Sequence, residues 1–540
     1  MKSICFSVVI LVAVVATPPY PAARANQLAA LQSDRGSGEQ QRGQVAKPPV
    51  SFAAATTYGT GGYLAASVLL ADVNNDGRLD LVVANNCQYG GGCANGDVSV
   101  LLGNGDGTFQ DAVSFDAGYE PRAIAVADVN GDGLPDLVVA NLCENESCSN
   151  GGVSILLGNG DGTFRPPVTY SSGGYEATSV TIADVNGDGH PDVVVANLCE
   201  GGPCVSVVSV LLGNGDGSFR QPVGYSSGGE EALSVAIGDM NGDGFPDVVV
   251  ANESQTGYPS DGDVSVLLGN GDGTFRNPVS YGSGGYIASL LAIKDLNNDG
   301  RLDVVVVNAC QNSATCTAPG TGGEVGVLLG NGDGTLQTAS TFSSGGYEAR
   351  AVTIGDVNGD GKADLVVANE CRTVACTKGG ISVFPGNGDG TFQEPASYSS
   401  GAAYAVSAAL GDVNRDGKID VAVANEQTNN KSNGIGRVGL LLNNFTATTS
   451  TIVVSSPNPS RVNQSILLTA TVTSASEVPD GSQVTFSSSK TVLGTGATNN
   501  GIASLALSFP SAKTYTIKAT YSGDIFHKAS LGTVKQVVTR

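Results

Sequence analysis

The stretch DVNNDGRLD, residues 72–80, is the first of seven copies of the pattern D-x-N-x-D-G-x-x-D. The other six read DVNGDGLPD at 128–136, DVNGDGHPD at 184–192, DMNGDGFPD at 239–247, DLNNDGRLD at 295–303, DVNGDGKAD at 356–364 and DVNRDGKID at 412–420. Successive copies begin 55 to 61 residues apart. A period of this length is typical of proteins built from repeated structural units.

Each repeat contains four segments with the composition of β-strands. An alternating run precedes the acidic string, as at 179–183, and a continuous Val/Ala run follows it, as at 193–196. The first pattern is typical of a strand with one buried face, and the second of a strand covered on both faces. A variable loop, a third strand at 207–212, a GNGDG turn and a short fourth strand near 222–223 complete the unit. Seven such units predict an all-β fold, a seven-bladed β-propeller, and exclude a helical solenoid.

The ends of the repeat region predict how the ring closes. The seventh unit stops at 440–443 without a fourth strand, and residues 49–52 resemble the missing strand. We expect the N-terminal segment to complete the last blade, so the propeller is assigned to 49–445. From 446 to 540 the chain carries short alternating runs, such as 466–472 and 515–521. About seven strands over this length predict an immunoglobulin-like β-sandwich, here without a cysteine.

The acidic string has the composition of a loop that binds a hard cation. Side-chain oxygens at positions 1, 3, 5 and 9 and a carbonyl at position 7 can converge on one ion, and glycine at position 6 permits the sharp turn. Three carboxylates in one turn repel each other unless a cation neutralises them. Oxygen-only ligands favour Ca²⁺ over zinc, and a crowded loop favours it over magnesium. About seven structural Ca²⁺ ions, one per loop, are predicted.

The predicted ligands occupy positions 1, 3, 5, 7 and 9 of every loop. They are Asp72, Asn74, Asp76, Arg78 and Asp80; Asp128, Asn130, Asp132, Leu134 and Asp136; Asp184, Asn186, Asp188, His190 and Asp192; Asp239, Asn241, Asp243, Phe245 and Asp247; Asp295, Asn297, Asp299, Arg301 and Asp303; Asp356, Asn358, Asp360, Lys362 and Asp364; and Asp412, Asn414, Asp416, Lys418 and Asp420. The alternative is that Asp, Asn and Gly only form a good turn. A helical EF-hand loop would require Glu at position 12, where Val83 and Val139 stand.

Six GNGDG turns could be mistaken for phosphate-binding loops. They lie at 103–107, 158–162, 213–217, 269–273, 330–334 and 386–390. They are predicted to join strands, and their aspartate repels phosphate. No helix N-terminus follows them, as a phosphate loop would require. We therefore expect hairpin turns.

The first 25 residues have the features of a cleaved signal peptide. Lys2 gives the positive start, residues 4–16 the apolar run and 23–25 a small-x-small cleavage site. The apolar run is too short to span a bilayer of about 30 Å. Residues 26–48 are expected to form a flexible lead-in. The mature chain is predicted to be secreted, or to lie in the periplasm or at the cell surface, with no membrane span.

Ten cysteines remain after the signal peptide, in five close pairs. The pairs are Cys87/Cys93, Cys143/Cys148, Cys199/Cys204, Cys310/Cys316 and Cys371/Cys376. Local pairing and an oxidising destination predict disulfides. Zinc binding is the alternative, but no histidine accompanies the pairs and none has C-x-x-C spacing.

The composition argues against two classes of function. A formal charge of −23 leaves no basic stripe to neutralise phosphates, so nucleic acid is not expected as a partner. The chain has two histidines, His190 and His527, so a Ser-His-Asp or Cys-His catalytic device is not expected. The prediction is a protein that is not an enzyme. Paired-carboxylate chemistry, as in glycosidases, stays open.

The acidic strings and the GNGDGTF stretch at 103–109 resemble the FG-GAP/VCBS repeat family, whose propeller is similar to the head of integrin α subunits. The stretches TSTIVVSSPNPS at 449–460 and ATYSGD at 519–524 resemble bacterial Ig-like repeats. The resemblance implies structural calcium on one propeller face and extracellular adhesion or recognition. Family members often carry a further catalytic or anchoring domain, and none is identified in this sequence.

The topology also predicts a binding surface. Calcium loops and GNGDG turns would share one face, and cysteine loops and inter-blade connections the opposite one. Those connections carry Tyr63, Tyr119, Tyr175, Tyr286, Tyr347 and Tyr404, with Glu230 in the fourth unit. The tyrosines either form a recognition surface or only complete the packing of their blades. The predicted function is a monomeric, secreted, calcium-binding adhesion or recognition protein with an extracellular protein or polysaccharide ligand. A lectin, or a polysaccharide hydrolase or lyase, is the alternative.

Overall fold

The computed structural model describes residues 50–87, 95–198, 206–254, 261–311, 322–373, 376–426, 435–474 and 478–540. The predicted signal peptide and the lead-in lie outside these ranges. The described residues form strands joined by turns and contain no helix, and hence none that could cross a membrane. The predicted all-β class is confirmed.

Seven antiparallel four-stranded blades form the propeller. In chain order its strands are β1 (Thr56–Ala71), β2 (Asp80–Cys87), β3 (Gly96–Leu101), β4 (Val113–Ala127), β5 (Asp136–Cys143), β6 (Gly152–Leu156), β7 (Val168–Ser171), β8 (Glu176–Ala183), β9 (Asp192–Leu198), β10 (Val207–Leu211), β11 (Val223–Ser226), β12 (Glu230–Gly238), β13 (Asp247–Ser254), β14 (Asp261–Leu267), β15 (Val279–Lys294), β16 (Asp303–Cys310), β17 (Glu324–Leu328), β18 (Ser340–Ser343), β19 (Tyr347–Gly355), β20 (Asp364–Cys371), β21 (Gly380–Phe384), β22 (Ala396–Ser399), β23 (Ala405–Gly411), β24 (Asp420–Asn425) and β25 (Ile435–Leu441).

Three long strands each serve two blades. The first half of β4 pairs with β3 as the fourth strand of blade one, and its second half pairs with β5 as the first strand of blade two. Strand β15 joins blades four and five in the same way. Strand β1 joins blades seven and one. Blades three and six are separate sheets, β8–β11 and β19–β22.

The second strand of each blade carries most of the core. Every residue of β2, β5, β9 and β16 is buried, because these strands lie inside their own sheet and between two neighbouring blades. The continuous Val/Ala runs predicted this position. Apolar clusters extend from one blade to the next, for example from Val138 in β5 to Val193 in β9.

Aromatic pairs join six of the seven blade interfaces. In each pair, a ring on the fourth strand of one blade packs against the Phe that closes the turn of the next blade, with centroids 5.2 to 5.8 Å apart. The pairs are Tyr58–Phe109, Phe115–Phe164, Tyr170–Phe219, Tyr225–Phe275, Phe342–Phe392 and Tyr398–Phe52. At the remaining interface Leu336 takes the place of the Phe and packs near Tyr281.

The N-terminal segment closes the ring. Residues 56–59 pair with 437–440 of β25, so the predicted completion of blade seven is confirmed. The predicted location of the strand, 49–52, was wrong. Phe52 instead forms a bridge with Asn443 and occupies the place of the Phe in a GNGDGTF turn. Blade seven needs this residue from elsewhere, because its own chain leaves for the C-terminal domain after Asn443.

The C-terminal domain is a sandwich of two sheets. Its strands are β26 (Thr449–Ser456), β27 (Ser460–Arg461), β28 (Ser465–Ser474), β29 (Gln483–Ser488), β30 (Thr491–Ala497), β31 (Ile502–Ser508), β32 (Thr514–Tyr521) and β33 (Ser530–Thr539). One sheet has the order β26-β28-β31 and the other β27-β33-β32-β29-β30. Burial alternates along β28, and its inward side chains Ile466 and Leu468 pack with Phe486 and Tyr521. The predicted immunoglobulin-like sandwich is confirmed.

Candidate functional site

Each acidic string forms a turn after the first strand of its blade, and loop one shows the geometry. Asp72 Oδ1 accepts a hydrogen bond from Asp76 N at 3.0 Å, and Oδ2 accepts one from Gly77 N at 2.7 Å. Asn74 Oδ1 accepts from Asp76 N at 3.1 Å, and Asp76 Oδ1 accepts from Arg78 N at 2.9 Å. The side chains of positions 1 and 3 therefore share the N–H group of position 5, while the side chain of position 5 accepts from the N–H group of position 7.

All seven loops repeat this bonding. The N–H at position 5 donates to the position-1 aspartate at 3.0 to 3.2 Å in every loop. The N–H at position 6 donates to the second oxygen of the same carboxylate at 2.7 to 2.9 Å. The structure thus brings together the side chains predicted at positions 1, 3 and 5 in each blade.

The position-9 aspartate also has a structural role that the sequence pattern did not reveal. Asp80 is fully buried; its Oδ2 accepts from Val73 N at 3.0 Å and its Oδ1 from Gly103 N at 2.8 Å. The same pair of bonds recurs in the other six blades. In blade seven Asn443 replaces the glycine. This carboxylate therefore ties the acidic loop to the turn between strands three and four.

Burial raises the pKa of these aspartates. The pKa of Asp80 rises to about 6, and those of Asp364 and Asp420 rise to about 7. Desolvation is the main cause, and the neighbouring carboxylates of the same loop add to it. A bound cation would act in the opposite direction, because it favours the charged form.

The donor set of the loops fits Ca²⁺ in its chemistry. Every side-chain donor is an oxygen, and three of the four carry negative charge, which suits a hard cation. Within the described ranges, no three acidic, His or Cys side chains lie close enough to hold a metal ion as they stand. The oxygens of positions 1, 3 and 5 face N–H groups of their own loop.

The GNGDG turns are hairpin turns, as predicted. In the first, Gly103 and Phe109 form an isolated antiparallel bridge. Asp106 Oδ1 accepts from Thr108 N at 3.0 Å and from Thr108 Oγ1 at 2.5 Å. These bonds lower the pKa of Asp106. The aspartate thus stabilises its own turn, and its charge disfavours a phosphate there.

The opposite end of the blades carries the predicted tyrosines beside disulfide-closed loops. The tyrosines are half-buried, and Tyr119 pairs in register with Cys143. Cys143–Cys148 and Cys371–Cys376 are disulfides, as predicted. Cys87 and Cys310 are also disulfide-bonded, while their predicted partners and the pair Cys199/Cys204 lie outside the described residues. Tyr286 packs against Ile287, Ala309 and Cys310 of its own blade.

Sequence analysis missed a charged cluster at the same end. We call it the axial cluster; its members are Glu120, Glu176, Glu231, Glu253, Glu348, Glu370, Glu426, Arg122 and Arg350. Arg350 in blade six forms an ion pair with Glu370 and interacts with Glu426 in blade seven and Glu253 in blade four. Non-neighbouring blades approach each other only near the propeller axis, so these groups surround it.

The axial cluster holds carboxyl groups whose pKa lies near neutrality. Desolvation and a hydrogen bond to Glu231 raise the pKa of Glu253 to about 8. Desolvation, followed by the charge of Glu370, raises that of Glu348 to about 7. Sequence signals for the cluster exist: Glu follows the tyrosine at 120, 176 and 348, and Glu follows Ala-Asn at 253, 370 and 426.

The two histidines lie in different domains. The N–H of His190, in loop three, donates to Asp188 at 2.9 Å. His527, in the C-terminal domain, is buried, and its Nδ1 lies 2.8 Å from Asp524 Oδ1. They therefore share no site.

Comparison with protein families matches both domains. An FG-GAP-like repeat matches residues 72–139, 143–195, 198–250, 251–306, 312–367 and 373–423. A bacterial Ig-like domain (group 3) matches residues 452–539.

Several known proteins are similar over part of the chain. Phosphatidylinositol-glycan-specific phospholipase D of Rattus norvegicus is 30% identical over 185 residues, which cover 30% of this chain and 21% of that protein. Integrin alpha-4 of Xenopus laevis is 33% identical over 162 residues, 26% of this chain and 16% of that protein. Integrin alpha-IIb of Mus musculus is 29% identical over 221 residues, which cover 36% of this chain and 20% of that protein. The chain thus spans about a fifth of the length of these relatives.

Two solved structures were also matched. One is an exotype rhamnogalacturonan lyase, with a TM-score of 0.34, 14% identity, and coverage of 69% of this chain and 73% of that chain. The other is the extracellular domain of a one-component system from B. thetaiotaomicron, with a TM-score of 0.39 and 10% identity. The match covers 91% of this chain and 59% of that chain. The six repeat matches together cover more than half of the sequence. The chain therefore belongs to the FG-GAP-like repeat family and carries a bacterial Ig-like domain at its C-terminal end.

Proposed function

We propose that this is a secreted, calcium-stabilised adhesion or recognition protein that binds an extracellular protein or polysaccharide and does not catalyse a reaction. The observation that carries the proposal is the division between the two ends of the propeller. At one end, the acidic loops and hairpin turns are bonded to each other. At the other end lie the tyrosines, the disulfide-closed loops and the axial cluster.

The second end has features that favour recognition. Loops that vary between blades are anchored on a rigid scaffold, which is the usual arrangement of a binding surface. The disulfide Cys143–Cys148 closes a short loop and limits its freedom. Half-buried tyrosines offer contact area at a small cost in conformational entropy. The axial cluster contributes seven carboxyl groups and two guanidinium groups, so the centre of this surface favours ligands with basic groups.

The test is a binding screen of the mature chain, residues 26–540, against immobilised glycans and matrix proteins in Ca²⁺ and in EGTA. Hits should then be measured with Tyr119→Ala and Tyr175→Ala. Phe245→Ala, on the calcium-loop end, is the matched control. We expect the tyrosine variants to weaken binding at least tenfold and the control to leave it unchanged. A loss of stability with unchanged binding would show that the tyrosines only pack their blades.

The glycan arm of the screen also tests the lectin alternative, because calcium-dependent binding to a defined glycan would identify a lectin. For the enzyme alternative, one carboxyl pair to test is Glu231–Glu253, in which Glu253 has a raised pKa. These two groups share a hydrogen bond, whereas retaining and inverting glycosidases keep their carboxyls about 5 Å or more apart. This pair is therefore closer together than the two carboxyls of a glycosidase. Turnover of a polysaccharide that is lost in Glu253→Gln would overturn the non-catalytic assignment.

A further inference from the structure

The C-terminal domain lies directly on two of the seven calcium loops. The Phe526 ring covers Gly359 in loop six so closely that a methyl group at Gly359 would overlap it. Next to it, Ile525 Cδ1 would lie 2.8 Å from a Cβ atom on Gly417 in loop seven. We call residues 523–528 the docking segment.

The connection between the domains is bonded to the same two loops. Asn443 Nδ2 donates to Val357 O at 2.7 Å and to Ile419 O at 3.0 Å. Val357 is position 2 of loop six, and Ile419 is position 8 of loop seven. The side chain at the end of the propeller thereby bridges the two loops before the chain enters the next domain.

The connection then pairs with the docking segment. Ala447 N donates to Phe526 O at 2.6 Å, and Lys528 N donates to Ala447 O at 2.8 Å. Phe445 and Ala447 are buried, at 7% and 5% exposure. These contacts form a packed junction, and a freely moving linker would lack them.

Loop six is covered as a result. Asn358, at position 3, is 1% exposed, whereas the corresponding asparagines of the other six loops are only partly buried. Asp360 is also partly buried, whereas Asp76, at the same position in loop one, is exposed. Loop six therefore has an environment that the other loops lack.

We infer that loops six and seven are the seat of the C-terminal domain, and that Ca²⁺ in these two loops holds the domain in its docked position. This inference rests on the calcium binding proposed above. The N–H of Gly359 donates to Asp356 Oδ1 at 2.7 Å, and the N–H of Gly417 donates to Asp412 Oδ2 at 2.8 Å. The backbone beneath the docking segment is thus held by carboxylates that belong to the predicted ligand sets.

The direction of the effect follows from electrostatics. Without an ion, docking places an apolar ring over a loop with three carboxylates and removes water that would screen their repulsion. With an ion, the same loop is largely neutralised, and covering it costs little. Ca²⁺ therefore favours the docked arrangement, and docking must raise the Ca²⁺ affinity of the covered loops by the same factor, because the two equilibria are linked.

Hydrogen–deuterium exchange of the mature chain, 26–540, tests this inference. Asp356→Asn weakens loop six, and Asp184→Asn, at the same position of the uncovered loop three, is the matched control. In Ca²⁺, we expect peptides covering 444–448 and 523–528 to exchange about fivefold or more faster in Asp356→Asn, the lower end of typical coupling. In Asp184→Asn the junction peptides should exchange at the wild-type rate. EGTA should accelerate exchange of the same peptides in the wild type.

Equilibrium dialysis with elemental analysis measures the bound Ca²⁺. This measurement distinguishes a failure of the proposed calcium binding from a failure of the docking inference. If the wild type binds no Ca²⁺, the proposed calcium function itself fails, and this inference fails with it. If Ca²⁺ binds and Asp356→Asn exchanges at the junction like Asp184→Asn, only the inference is overturned.

A second variant leaves every loop residue in place. Phe526→Ala should lower the Ca²⁺ affinity of loop six about fivefold or more, while Leu531→Ala, at a 53% exposed side chain of the same domain outside the docking segment, should change no affinity. Unchanged calcium titrations in Phe526→Ala would contradict the coupling.

Discussion

The closure of the propeller by Phe52 makes a quantitative prediction. Phe52 is 8% exposed, bridges Asn443, and packs on Tyr398 with ring centroids 5.2 Å apart. Truncating a buried Phe to Ala costs about 3–5 kcal/mol. A cooperative domain of about 400 residues loses about 1–1.5 °C of Tm per kcal/mol. Phe52→Ala is therefore expected to lower the Tm of the propeller by about 3–7 °C, measured by differential scanning calorimetry in Ca²⁺.

Two further variants make this measurement decisive. Phe245→Ala removes the same group from a ring that is 45% exposed and should cost less than about 1 kcal/mol. Phe109→Ala removes the equivalent ring of blade one. Its fall in Tm should equal that of Phe52→Ala if the closure is as well packed as an ordinary blade interface. A Phe52→Ala melt within about 1 °C of Phe245→Ala would refute the closure argument.

Three other perturbations follow from the site. EGTA should lower the free energy of unfolding by about 2.7 kcal/mol for each loop whose Kd is a hundredth of the calcium concentration; an unchanged urea midpoint would contradict calcium binding. The double variant Cys143→Ser/Cys148→Ser should lose at most about 2 kcal/mol in the same assay, because the closed loop is short; a larger loss would assign the bridge a wider role. In EGTA, stability should fall between pH 5 and pH 8, because the folded-state pKa values of Asp364 (about 7) and Glu253 (about 8) exceed the unfolded values, so the folded state binds more protons. Urea midpoints that rise over this range would contradict the sign.

Much of the fold was predictable because the repeat constrains it locally. The run 193–196 predicted a strand buried on both faces, and every residue of β9 is buried. The spacing of the acidic strings predicted seven blades. Positions 1, 3 and 5 of the loops were predictable for the same reason, since bonds such as Asp76 N to Asp72 Oδ1 span only a few residues.

The features that were missed depend on contacts far apart in sequence. The N-terminal strand was placed at 49–52 instead of 56–59, because only the ring geometry determines which residues meet β25. The axial cluster was missed because the direction of its side chains depends on a bulge. The bulge falls at Arg122 and Arg350, and two residues earlier Glu120 and Glu348 have φ of 52° and 51°, in the left-handed region that side chains rarely adopt. Sequence alternation alone does not predict that departure.

The position-9 aspartate would link the proposed calcium binding to the blade interface. In blade one, Asp80 bonds the turn residue Gly103, Gly103 bridges Phe109, and Phe109 packs on Tyr58 of blade seven. If Asp80 were only a calcium ligand, EGTA would remove any difference in the free energy of unfolding between the wild type and Asp80→Asn.

The structure predicts instead that Asp80→Asn is less stable than the wild type even without calcium. An amide at residue 80 can still accept the N–H of Gly103, but its NH₂ group would face the N–H of Val73, which Oδ2 accepts in the wild type at 3.0 Å. A buried donor left without its acceptor costs about 1–3 kcal/mol. Asp80→Asn should therefore unfold at a lower urea concentration than the wild type even in EGTA. Coincident urea curves in EGTA would mean that the carboxylate serves only the ion, and that calcium is not linked to the blade interface through this residue.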